Sequence, residues 1–125
     1  MAKALGVGGI FFKSPDPHKL SQWYSRWLGL TIESGSDVSV FRPQTMPKNG
    51  YTVWSPFKST TTYFSPADKE FMINLVVDNL EEALKQVQAG GAQIVGDVER
   101  LDYGLFGWFI DPDGNKVELW EPSNS

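Results

Sequence analysis

The sequence predicts an α+β fold made of two βαβββ modules in tandem. Three observations predict it. Each half reads as a strand, a helix and three further strands, and each helix stops at glycine, Gly29 in the first half and Gly90-Gly91 in the second. The halves also echo one another, Leu30-Thr31-Ile32 matching Ala92-Gln93-Ile94 and Val53-Trp54-Ser55-Pro56 matching Leu119-Trp120-Glu121-Pro122. Such a repeat gives each half a sheet with its helix on one face, and the open face must then be covered by the twin. The 125 residues fit one domain, with module 1 over about 5–57, a connector over 58–69 and module 2 over about 70–122.

The elements follow from local signals. Val7 to Lys13 alternates as a strand, with Val7, Gly9 and Phe11 on one face. Asp16 then caps a helix that Pro17 opens, and Leu20, Trp23, Tyr24, Trp27 and Leu28 form its apolar stripe, to be buried against the sheet. Short strands are expected at Leu30 to Glu33, Val38 to Arg42 and Tyr51 to Ser55, separated in part by a polar loop from Pro43 to Gly50. The connector is rich in Ser and Thr, has no period, and carries Tyr63 and Phe64.

Module 2 opens with a strand at Phe71 to Val77. Asp78 followed by Glu81 reads as a capping box for a helix with Leu80, Ala83, Leu84 and Val87 on its buried stripe. Strands follow at Gln93 to Val98, Phe106 to Ile110 and Lys116 to Trp120. Before the last one, Asp111-Pro112-Asp113-Gly114 predicts a tight turn, since proline presets one backbone angle and glycine accepts a left-handed one. The last strand places Val117 and Leu119 on one face and Lys116, Glu118 and Trp120 on the other.

Composition narrows the function classes. A net charge of −4 without a Lys/Arg cluster disfavours nucleic acid as a partner. No stretch approaches a membrane span, and the apolar start from Leu5 to Phe12 lacks the features of a signal peptide, so a cytoplasmic protein is expected. The absence of cysteine excludes disulfides and thiolate chemistry. His18, in the first turn of a helix, reads as a solvated residue, and Asp111-x-Asp113-Gly114-Asn115 has its glycine too early for a calcium loop.

The strand-then-helix entry ending Trp23-Tyr24-Ser25-Arg26-Trp27-Leu28-Gly29-Leu30 resembles the vicinal oxygen chelate superfamily. So do the Val77-Asp78-Asn79-Leu80 helix entry and the run from Asp111 to Leu119. That superfamily includes glyoxalase I, bleomycin-resistance proteins and extradiol dioxygenases. The resemblance implies that the paired modules form a curled mixed sheet around a cup, with helices outside, usually in a homodimer. It also implies four metal-ligand positions, which fall here on Gly9, Thr52 (with Trp54 the nearest other candidate), Met72 and Glu118. Only Glu118 is a plausible ligand, and one carboxylate does not hold a divalent metal. No metal and no cofactor are therefore expected.

Strand alternation predicts a cup lined by Phe11, Thr52, Trp54, Met72, Asn74, Glu118 and Trp120, with Lys116 on the same face and Trp108 and Tyr103 near by. The same aromatics would also fill a closed interior. Lys116, Asn74 and Glu118 on one face favour a pocket with apolar walls and few polar anchors. Two functions fit: a metal-free binding protein of the bleomycin-resistance kind for an aromatic or cationic small molecule, or a glyoxalase-like lyase or isomerase. In the second, Glu118 is the general base and Tyr103 a conceivable acid.

Overall fold

The computed structural model describes residues 1–124. In chain order its elements are helix α1 (Pro17–Leu28), a 3-10 turn (Pro43–Thr45), strand β1 (Ile73–Val76), helix α2 (Leu80–Ala89), and strands β2 (Gln93–Leu101), β3 (Gly104–Ile110) and β4 (Lys116–Pro122). The strands form one open mixed sheet in the order β1-β4-β3-β2. β1 runs parallel to β4, while β3 is antiparallel to both β2 and β4. An irregularity in β2 between Val95 and Glu99, where Gly96 takes a φ of 70°, interrupts the register against β3. Module 2 is thus a complete βαβββ unit, and the α+β class holds. Among the described residues no helix is long and apolar enough to cross a membrane.

The first half departs from its expected strands. Residues 7–13 and 51–55 have no ladder partner among the described residues, and 30–33 and 38–42 share only a single bridge, Ile32 to Ser39. Alternation meets the local requirement of a strand, but a strand also needs a neighbour to complete its hydrogen bonds. The sheet within one chain takes no strand from this half.

The helices form where their caps are. Asp16 Oδ1 accepts the Lys19 backbone N–H at 3.1 Å, and Gly29 ends α1 at a φ of 70°. The cap of α2 is Asn79, which accepts from Glu82 N at 3.1 Å, rather than Asp78. Asn79 and Glu82 have the same spacing as Asp78 and Glu81, so the capping signature reads one residue early. Glu121 on β4 completes this helix start, accepting the Leu80 backbone N–H at 2.8 Å. A carboxylate there also offsets the partial positive charge of the helix N-terminus.

The core lies between the helices and the back of the sheet, in Leu20, Tyr24, Leu80, Ala83, Val87, Phe109, Val117 and Leu119. Trp23 and Trp27 are half-buried at its rim rather than buried within it. For Trp23 the reason is polar. The Trp23 indole N–H donates to Gly90 O at 2.9 Å, and Gln86 Nε2 donates to Trp27 O at 2.8 Å, so both tryptophans serve the junction of the two helix ends. Gly90 lets the Trp27 ring approach; a Cβ there would lie 2.7 Å from the ring.

The β3–β4 turn is the most densely bonded point of the chain. Asp111 Oδ1 accepts from the backbone of Asp113 and of Asn115, each at 2.9 Å, and Gly114 N bonds back to Asp111 O at 2.9 Å. Asp111 Oδ2 accepts the Asn115 side-chain amide at 3.1 Å and the Tyr24 hydroxyl at 2.8 Å. Asp111 and Asn115 are buried, so this network replaces the water they give up.

Two outcomes follow. Phe109→Ala, at a position with no exposure, should lower stability by about 3–5 kcal/mol in a denaturant titration. Burial, reinforced by Asp111, raises the Tyr24 pKa far above its usual value. The folded state therefore keeps this proton where the unfolded chain loses it. The Tyr24 contribution to stability should be constant below about pH 10 and be lost as the pH rises above it. Tyr24→Phe should flatten that loss and cost about 1–2 kcal/mol at neutral pH.

Candidate functional site

The site is built on the front of the sheet, opposite the helices. Glu118 sits in the middle of β4, paired with Asn74 of β1 on one side and Trp108 of β3 on the other. All three side chains therefore rise from the same face. Asn74 Nδ2 donates to Glu118 Oε1 at 2.7 Å, and the Trp108 indole N–H donates to Oε2 at 2.8 Å. A third donor comes from the connector: the Tyr63 hydroxyl reaches the same Oε2 at 2.6 Å. Charge-assisted bonds of this length are stronger than neutral ones.

Lys116 stands beside this network, two residues before Glu118. Its ammonium donates to Tyr63 O at 2.6 Å and lies 5.0 Å from the Tyr63 ring centroid and 5.9 Å from that of Trp108. Burial lowers the lysine pKa, an effect that the Glu118 charge partly offsets. Burial and then the bond to Glu118 raise the Tyr63 pKa, so this phenol holds its proton firmly. Its ring meets Trp108 edge-on at 6.3 Å and stacks on Phe57 at 5.7 Å.

Of the residues expected in the cup, Asn74, Trp108 and Glu118 come together as one bonded group. Trp120 is on the same face but is committed to packing: it stacks on Phe106 at 5.9 Å and donates to Tyr103 O at 2.9 Å. Tyr103 joins through that carbonyl, while its ring packs edge-on to Phe106 at 5.6 Å. The tyrosine hydroxyl that reaches Glu118 is therefore that of Tyr63 and not of Tyr103. Met72 is half-buried just before β1.

Phe11, Thr52 and Trp54 stand apart from this group in the single chain. Phe11 is 95% and Trp54 79% exposed, Thr52 is exposed too, and none of them joins the bonds or ring contacts around Glu118 among the described residues. From their neighbourhood it is Tyr51 that reaches the front of the sheet, with its ring 4.8 Å from that of Trp120. Without a ladder, residues 51–55 are not held to the two-residue period that placed Thr52 and Trp54 inward. Tyr63 was missed because its connector has no period. Its one signal was an aromatic with a donor in a stretch otherwise of Ser and Thr.

The donor set does not fit a divalent metal. Both oxygens of Glu118 already accept hydrogen bonds, and Gly9, Thr52 and Met72 offer no charged or imidazole ligand. No group of three or more His, Asp or Glu side chains able to hold an ion occurs among the described residues. His18 pairs with Asp37 at 3.1 Å in an exposed position on α1.

A family model for the glyoxalase-like domain matches residues 9–120. No curated protein is detectably similar in sequence. Among solved structures, the chain is similar to a glyoxalase-related enzyme from Fulvimarina pelagi, at 15% identity over 96% of this chain and 88% of that one, with a TM-score of 0.58. It is similar to TnmS3, an antibiotic binding protein from Streptomyces sp. CB03234, at 19% identity over 88% of this chain and 89% of that one, with a TM-score of 0.52. These two likenesses carry the fold alone. A member of the glyoxalase/bleomycin resistance protein/dioxygenase superfamily from Sphaerobacter thermophilus DSM 20745 matches at 32% identity, with a TM-score of 0.36, over 39% of this chain. That match spans 40% of the Sphaerobacter chain. Since the family model covers nearly the whole sequence, the chain belongs to the glyoxalase-like domain family, as a divergent member of the vicinal oxygen chelate superfamily.

Proposed function

We propose that this chain is a metal-free small-molecule binding protein of the glyoxalase/bleomycin-resistance type, with its ligand held on the front of the sheet against Glu118. The observation that carries this reading is the carboxylate itself. It is fixed by Asn74 and Trp108 on an aromatic face, away from the structural network that Asp111 serves at the turn. A placed carboxylate on an apolar wall is the usual form of a polar anchor in a binding site. The adjacent Lys116 disfavours a cationic ligand and favours an aromatic one. The antibiotic-binding role of TnmS3, which shares the fold, agrees with this class.

The alternative is a lyase or isomerase with Glu118 as general base. It is supported by a hydroxyl and a carboxylate in direct contact, Tyr63 and Glu118 at 2.6 Å. Against it, the raised Tyr63 pKa makes that hydroxyl a poor proton donor near neutral pH. A thermal-shift screen of planar aromatic and 2-oxo compounds tests both readings. Binding predicts hits whose affinity Glu118→Gln weakens about 10- to 100-fold, or roughly 1.5–3 kcal/mol, with no chemical change in the compound. Glu118-dependent conversion of a hit to product supports the alternative, and hits indifferent to Glu118→Gln overturn both.

A homodimer is part of the same proposal. The chain exposes 9204 Å², whereas a folded monomer of 14.0 kDa has about 6,700 Å². The excess is roughly 2,500 Å² per chain, about 5,000 Å² over a pair, which is the size of an obligate homodimer interface. Large apolar side chains from the unpaired strand segments make up much of the exposed set, among them Ile10, Phe11, Val40, Phe41, Val53 and Trp54. A second copy whose complementary segments cover this surface would also return module 1 residues to the cup. Light scattering at micromolar concentration should give twice 14.0 kDa; a monomer overturns the dimer.

A further inference from the structure

The three donors on Glu118 are not equivalent. Asn74 and Trp108 belong to β1 and β3 and are held by the ladder on either side of β4. Tyr63 belongs to the connector, whose backbone bonds are local: Thr61 N to Lys58 O at 3.0 Å, Ser65 N to Thr62 O at 3.0 Å and Ala67 N to Phe64 O at 3.1 Å. Lifting Tyr63 off the sheet breaks its own contacts and the Lys116 bond but no ladder bond. It is the donor that can leave.

Tyr63 also sits as a small aromatic molecule would. Its hydroxyl donates to the carboxylate at 2.6 Å, its ring stands edge-on to Trp108 at 6.3 Å, and the Lys116 ammonium lies 5.0 Å from its centroid. Each contact selects for one property. The carboxylate needs a donor and repels an anion. The ammonium is attracted to an electron-rich ring and repels a cation. The edge-to-face packing with the Trp108 indole favours an aromatic ring. A neutral aromatic ring bearing a hydroxyl satisfies all three; an aryl carboxylate or an aromatic amine in its cationic form fails one.

We infer that Tyr63 occupies the ligand's own position, and that the site takes phenol-type compounds whose hydroxyl replaces that of Tyr63 on Glu118. The inference rests on the binding function proposed above and specifies its ligand class. Free and bound states then compete for one carboxylate oxygen, so the chain's own phenol sets the affinity threshold a ligand must exceed.

The test uses the full chain with phenol as probe and anisole, which has the ring but no donor, as control. Binding is read from the Trp108 indole N–H resonance. Tyr63→Ala should bind phenol at least tenfold more tightly than the unaltered chain and should prefer it to anisole, and adding Glu118→Gln should remove that preference. Tyr63→Phe, which deletes only the hydroxyl and keeps the packing, should gain about threefold, and it decides the matter if Tyr63→Ala fails to fold. Equal binding of phenol and anisole by the Tyr63 variants, or no gain over the unaltered chain, overturns the inference. If screened aromatics still bind in a Glu118-dependent way in that event, the proposed function stands and only its ligand class falls. If nothing binds through Glu118, both fall.

Discussion

The pairing of Glu118 with Trp108 is set at the turn that the buried carboxylate of Asp111 closes. Its two oxygens close the β3–β4 turn from within and accept the Tyr24 hydroxyl from α1. The turn sets which residue of β4 faces which residue of β3, and hence that Glu118 lies opposite Trp108. Tyr24 adds the second half of the constraint, because it ties the helix layer to the same point. A charge that is costly to bury is made affordable by four donors, and the arrangement leaves little room for a different turn.

Much of this was legible in the sequence, for physical reasons that differ by element. The turn showed itself because proline, glycine and an aspartate each have a local conformational cause. The cap of α1 at Asp16 and the apolar stripe of each helix are likewise local. Strand β4 declared its two faces by alternation, and the carboxylate, amide and indole of the site followed from reading its neighbours with the same period.

What stayed hidden is non-local. Alternation in residues 7–13, 38–42 and 51–55 states which side chains share a face but not which strand completes the ladder, and within one chain none does. Tyr63 makes its decisive bond 55 residues along the chain, from a segment whose course no period encodes. The one-residue shift in the cap of α2 has a smaller cause: Asp78 and Asn79 are both good caps with an acid three residues on, and only the path of the chain out of β1 chooses between them.

Glu118 and Glu121 sit three residues apart on β4, one bonded to side chains on the front of the sheet and the other to the start of α2 on the back. Their odd spacing makes the strand self-checking as it forms. A slip by one residue would turn both carboxylates to the opposite face together, driving Glu118 among Phe109 and the buried aliphatic side chains and stripping the helix of its acceptor. A slipped register would therefore carry a desolvation penalty at both acids, and the pair favours the native register over its neighbours.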